Sequence, residues 1–330
     1  MKRIGYILRL VITAVLLLYV LNKVGIFDVE GREKLISLLR SISLPMLFAS
    51  LGISQLLNLS SGFKWYLLLR SRGIDVTFFR AWGLYMVAIC FSLLLPTSMG
   101  GDLIRIHELG KFTGKKAEAA ASVFVERFSG MVILFFLTVV AVFMQSQLLS
   151  VAWMSVSLVI AVGGSMAIIW VIVDERPYHF VTTLLKNKMP FLSGVLGKID
   201  KLHKAVLEYR HDRKALIIAF INTFVFYFFA VVNVYITALA FSAEVNFSEL
   251  LVAVPLIMFI MNLPISIGGI GLMEFAFIFI FDISGYSSAL ALSTALLMRF
   301  KSLVDAGIGG LLYPLLSKAM SQKNSNVAKE

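Results

Sequence analysis

The chain has a single cysteine, Cys90, and four histidines among 330 residues. One thiol excludes a disulfide framework and any cysteine-based metal site. His179, His203 and His211 fall in one basic stretch, and the fourth, His107, is far from them, so no metal-ligand spacing forms. Charge is equally scarce. Asp, Glu, Lys and Arg make up 15% of the chain, against about 25% in a soluble domain, which excludes a soluble globular fold. H-E-x-x-H, G-x-S-x-G and P-loop patterns are missing as well. The expectation is a protein with no catalytic residues, no metal and no cofactor, and not an enzyme.

What remains is apolar: 59% hydrophobic residues and a mean hydropathy of +0.90. Runs such as Ile4 to Leu21, Val151 to Val173 and Leu216 to Ala240 match the roughly 20 residues a helix needs to cross a bilayer. They lack the alternation of a barrel strand, so the spans are read as helices. Six are expected: about Ile4 to Leu21, Leu44 to Leu69, Ala117 to Gln145, Val151 to Val173, Ala215 to Ala240 and Ala289 to Leu316. The first resembles a secretory signal, but Tyr19 to Gly25 offers no small-residue cleavage pattern, so it is expected to be retained.

The net charge of +11 is distributed one-sidedly. Lys and Arg crowd Met1 to Arg9, Lys64 to Arg80, Gly101 to Arg127, Asp174 to Lys214 and the tail after Ser317, and are absent from Ser242 to Glu249. The positive-inside rule places both termini and the 174–214 loop in the cytoplasm. Basic charge reads as orientation and contact with anionic lipid rather than as a nucleic-acid footprint. In the loop, Lys198, Lys201, Leu202, Lys204, Ala205 and Leu207 mix basic and apolar positions at helical spacing, as in helices lying on the inner leaflet.

Two segments do not fit as simple crossings. Ala81 to Pro96 has basic flanks on both sides, and Leu250 to Asp282 has the matching problem from the outer side. The same interruption closes the first and lies within the second: Leu95-Pro96-Thr97-Ser98-Met99-Gly100-Gly101 and Leu263-Pro264-Ile265-Ser266-Ile267-Gly268-Gly269. Downstream, Ala117, Ala119, Ser122, Arg127 and Phe128 answer to Ala289, Ala291, Thr294, Arg299 and Phe300 at one constant offset. The expected fold is therefore an all-α polytopic membrane helix bundle of two inverted-topology repeats, each containing a re-entrant broken hairpin. That makes six spans plus two hairpins, or about eight if these are counted. One integral membrane domain covers residues 1–330, with repeats at 1–145 and 151–317 and a cytoplasmic tail at 318–330. The alternative is that the Pro/Gly clusters are ordinary turns between short spans.

Broken helices at membrane depth are tolerated only around protein or a water-filled cavity, and in corresponding positions of two halves they point to a binding site. Pro ends the incoming helix, Ser caps freed backbone groups, and the Gly pair lets the chain reverse. A helix N-terminus after each pair suits an anionic group such as phosphate. The candidate substrate-binding residues are Ser98, Gly100, Gly101, Asp102, Arg105, Glu126, Arg127, Ser266, Gly268, Gly269, Glu274 and Arg299. Arg105 is the first choice for a phosphate contact in the first half, and Arg127 and Arg299 form paired clamps. Internal ion pairs are the alternative: Glu126 with Arg127 or Arg105, and Asp305 with Lys301.

At Pro96 to Arg105, Ala119 to Phe128 and Leu263 to Glu274, followed by Arg299, the chain resembles the flippase-like family that includes the transmembrane region of lysylphosphatidylglycerol synthases. The similarity runs over roughly Leu44 to Leu316. It implies movement of a phosphate-bearing lipid, phospho- or polyprenyl-linked, between the leaflets of the inner (cytoplasmic) membrane. The synthase domain is missing from this sequence, so synthesis of lysylphosphatidylglycerol is not carried over. The expected partners are an anionic or phosphate-bearing membrane lipid and an envelope-lipid biosynthetic enzyme. The rival functions are an integral membrane enzyme acting on a lipid phosphate, with Asp102, His107 and Glu126 as its candidates, and a secondary transporter of a small solute.

Overall fold

A computed structural model describes residues 2–95, 100–144, 193–263 and 265–327, with isolated positions between 156 and 183. The described residues form helices and no strand. In chain order the helices are α1 (Lys2–Lys23), α2 (Val29–Arg40), α3 (Leu44–Ser71), α4 (Phe78–Leu94), α5 (Gly100–Thr113) and α6 (Lys116–Met144). After them come α7 (Ser193–Leu207), a 3₁₀ turn (Glu208–His211), α8 (Arg213–Leu239), α9 (Phe247–Met261), α10 (Leu272–Ile283) and α11 (Ser288–Val327). Five of the six expected spans coincide with helices. The remaining one, Val151 to Val173, lies outside the described residues except at three isolated positions, and Ser98 lies wholly outside them.

Polar residues set several of these starts by accepting first-turn amides that have no partner inside the helix. Thr77 Oγ1 accepts from Arg80 N at 3.4 Å, Asp212 Oδ1 from Ala215 N at 3.1 Å and Asn246 Oδ1 from Ser248 N at 3.0 Å. Length then separates two kinds of helix. Those at α3, α6 and α8 are long and apolar enough to cross a bilayer. By contrast, α4 and α9 are apolar but have 17 and 15 residues. At 1.5 Å per residue they reach about 26 Å and about 22 Å, short of a hydrocarbon core of about 30 Å. Phe48 on α3, Phe136 and Phe143 on α6, and Ile217, Ile221 and Phe224 on α8 face outward, the surface that acyl chains cover in a membrane protein.

The order long, short, break, short, long occurs twice, as α3 to α6 and as α8 to α11. Neighbours within each set pack in sequence, and the sets are interlocked: α3 lies along α8, α6 against α9, and α11 against α4. The α4–α11 contact is backbone to backbone. A Cβ on Gly309 would lie 2.0 Å from the Met86 carbonyl oxygen, so only glycine permits this approach. Gly101 fills the same role inside the first hairpin, where its Cβ would meet Ala88 O at 1.9 Å.

The largest apolar core joins α1, α6 and α8 to α11, including Phe241, Phe259, Phe277 and Phe281. A second surrounds Trp65 between α3, α4, α5 and α6. Within the basic loop, α7 is helical as expected, but its apolar side packs on the bundle: Ala205 and the adjoining Tyr209 pack with Leu68 and Ala121, while Lys201 and Lys204 are exposed. α2 is an element that the hydropathy reading missed, because its twelve residues bury no side chain.

Candidate functional site

The first break delivers α5 with Asp102 in its first turn, facing α6. Four charged residues meet there. Arg127 donates to Asp102 through two parallel bonds, Nε to Oδ2 at 2.9 Å and Nη2 to Oδ1 at 3.2 Å. Arg105 pairs with Asp102 Oδ1 through Nη2 at 2.9 Å and with Glu126 Oε2 through Nη1 at 2.6 Å. The Arg105 side chain is 1% exposed, its guanidinium 4.8 Å from the centre of the Trp65 ring and 5.3 Å from that of Tyr85. Its charge is spent on protein carboxylates and aromatic faces. Arg127, by contrast, has a side chain 51% exposed.

At the second break the chain takes positive φ at Gly268, Gly269 and Gly271, a path that a Cβ would strain. α10 does not follow the Gly pair directly; it begins at Leu272. Glu274, in its first turn, accepts from Gly271 N at 2.9 Å and holds Arg299 of α11 through Nε at 2.6 Å and Nη2 at 3.1 Å. Arg299 Nη2 also donates to Gly269 O at 3.0 Å, fastening the break to α11. Ser266 lies within this turn and is half-buried.

The candidates thus gather into two groups. Asp102, Arg105, Glu126 and Arg127 form one, with Gly100 and Gly101 buried beneath it. Gly268, Gly269, Glu274 and Arg299 form the other. In each, an acid in the first turn after the break holds an arginine 25 residues later. Of the internal ion pairs weighed from sequence, Glu126 takes Arg105, and no Asp305–Lys301 ion pair occurs among the described residues. His107 is exposed on α5.

Sequence reasoning missed a cavity of about 240 Å³ between the two helix sets. Its polar lining includes Ser54, Asn58, Tyr85, Asn233, Lys301 and Asp305. None of the residues chosen at the breaks lines it, although Tyr85 both lines it and lies beneath Arg105. Lys301, 1% exposed, donates to Asn233 Oδ1 and Thr237 Oγ1, each at 2.7 Å. Asp305 Oδ1 accepts from Gln55 Nε2. A lysine and an aspartate one turn apart in an apolar helix were the available sequence signal.

The α3–α8 seam beside the cavity is polar. Asn233 Nδ2 donates to Ser54 Oγ at 3.2 Å and Lys64 Nζ to Thr223 Oγ1 at 3.1 Å. These bridges correspond when α3 is laid on α8, Ser54 falling on Thr223 and Lys64 on Asn233. The offset that lays Arg127 on Arg299 gives the Lys301–Asp305 pair no partner: the matching stretch of α6 carries Ser129 and Ile133.

A family model described as "Lysylphosphatidylglycerol synthase TM region" matches residues 6–309. Comparison with curated proteins and with solved structures gives no match.

Proposed function

Because the chain belongs to the family of the lysylphosphatidylglycerol synthase transmembrane region, we propose that it is a membrane transporter moving a phosphate-bearing lipid between leaflets. The observation that carries this reading is the paired arginine–carboxylate grip at the two breaks. A carboxylate and a phosphate present the same two-oxygen edge to a guanidinium. Each acid therefore holds its arginine in the orientation that a lipid phosphate needs, and the incoming phosphate exchanges for the acid. Arg127, half exposed, is the more open of the two. Acyl chains remain against the outward-facing Phe and Ile side chains of α3, α6 and α8.

In this reading the two helix sets are inverted repeats in the inner membrane with both termini cytoplasmic, and α4–α5 and α9–α10 are re-entrant hairpins. The short lengths of α4 and α9 support it, as does their interlocking with the opposite set. In this reading the protein only carries the lipid, which fits the pairing of Asp102 and Glu126, two of the three candidates for chemistry, with arginines. An envelope-lipid enzyme supplies or consumes the cargo.

The test is reconstitution into vesicles containing a fluorescent phospholipid, followed by quenching of the outer leaflet. Protein-containing vesicles should quench beyond the half expected for a static bilayer. Quenching equal to that of empty vesicles rejects the reading, and uptake of a water-soluble solute without lipid movement favours a solute transporter.

A further inference from the structure

The central cavity carries a second, chemically distinct demand. Lys301 and Asp305 carry opposite formal charge but form no direct ion pair: Lys301 is held by the neutral oxygens of Asn233 and Thr237, and Asp305 by the amide of Gln55. One of the three ammonium protons of Lys301 is left for a ligand, as is the second oxygen of Asp305. Asn58 Nδ2, also at the cavity, is buried with no hydrogen-bond partner. The cavity therefore offers two donors, Lys301 and Asn58, and one strong acceptor, Asp305.

A bare phosphate satisfies the donors but places its charge beside the Asp305 carboxylate, and an ammonium satisfies Asp305 but repels Lys301. A hydroxyl meets both, because it donates through its proton and accepts through its lone pairs. Net neutrality of the lining selects an uncharged group, since an unpaired charge taken out of water at membrane depth is costly. The repeat is also broken here: α11 carries Lys301 and Asp305 where α6 carries Ser129 and Ile133.

We propose that this cavity is a binding site for an uncharged polyol headgroup, its hydroxyls donating to Asp305 and accepting from Lys301 and Asn58. The inference rests on the lipid-transport reading: the phosphate engages an arginine at a break while the polyol tip enters the cavity. Tyr85, shared between the cavity lining and the Arg105 cluster, joins the two sites.

The experiment is native mass spectrometry of the full chain in mild detergent, titrated with lipids of identical acyl chains. Phosphatidylglycerol and phosphatidylinositol carry polyols, phosphatidic acid a bare phosphate, and phosphatidylethanolamine an ammonium. Both polyol lipids should bind at least about tenfold more tightly than the other two, the worth of one hydrogen bond to a charged group. Asp305→Asn should erase most of that preference, bringing the affinities of the polyol lipids close to that of phosphatidic acid. Asn58→Leu, which strands no buried charge, should reduce it and serves if the Asp305 variant does not fold. Equal binding of all four lipids, or a preference that survives in both variants, overturns the polyol site while leaving lipid transport standing. Failure of every lipid to bind removes both.

Discussion

Arg299 grips Glu274 through two parallel bonds, Nε to Oε1 at 2.6 Å and Nη2 to Oε2 at 3.1 Å, across 25 residues of chain. Arg127 grips Asp102 in the same way across the same 25 residues. The match survives a difference in the intervening breaks. Asp102 directly follows its Gly pair, whereas Glu274 stands five residues beyond Gly269. The acid–arginine spacing, and not the length of the break, is what the two halves share.

If these grips are where a lipid phosphate exchanges in, Arg127→Ala and Arg299→Ala should each slow lipid movement in vesicles by about 10- to 100-fold, the worth of one charge-assisted contact of about 1.5–3 kcal/mol. Lys keeps the charge but not the planar fork, so Arg127→Lys and Arg299→Lys should recover only part of the rate. Wild-type rates in both Ala variants would remove the arginines from the mechanism.

The inverted arrangement can be tested without a substrate. Lys116, the first residue of α6, and Ser287, just before α11, lie at equivalent turns of the two helix sets. With Cys90→Ser as background, Cys at position 116 should react with an impermeant maleimide only from the cytoplasmic side of sealed cells or vesicles, and Cys at 287 only from the other side. Labelling of both from one side rules out inversion.

Much of this architecture was legible in the sequence, and the reasons it was legible also explain what was not. Apolar runs located α1, α3, α6, α8 and α11 because the lipid-facing surface of a span must be apolar. The repeated L-P-x-S-x-G-G located both breaks because backbone reversal leaves few residue choices. The acid–arginine grips were not read as pairs, since the Gly motif and the Arg127/Arg299 motif run at different offsets and Glu274 was left without its counterpart Asp102. Arg105 was chosen as a ligand contact on its nearness to the break, but Trp65, Tyr85 and Glu126 enclose it from α3, α4 and α6, a convergence no local pattern reports. The cavity was hidden for the same reason: its lining comes from α3, α4 and α8 to α11.

The enclosure of Arg105 predicts a stability effect separate from transport. Glu126→Leu deprives a guanidinium 1% exposed of one of its two carboxylates, and breaking such a buried pair costs about 3–5 kcal/mol. The melting temperature in detergent should fall by several degrees. Adding Arg105→Met removes the stranded cation, so the double variant should melt above Glu126→Leu alone. His107→Ala, on the exposed face of α5, is the control and should melt like the parent. Additive losses in the double variant would show that the pair is not coupled.

The contact between α4 and α11 gives a prediction whose sign reverses within three residues. Alanine in place of glycine inside a helix stabilises it by roughly 0.5–1 kcal/mol when its methyl group has room. At Gly307 a new Cβ meets nothing within 4 Å, so Gly307→Ala should raise the melting temperature slightly. At Gly309 the same methyl would lie 2.0 Å from Met86 O and 2.6 Å from Met86 C, backbone atoms that cannot rotate away. Gly309→Ala must push α11 off α4, and it should lower the melting temperature or the folded yield despite the better helix propensity. Because these helices belong to opposite sets, the same displacement should alter the rate of lipid movement, which Gly307→Ala should not. If both variants melt above the parent, the α4–α11 packing described here is wrong.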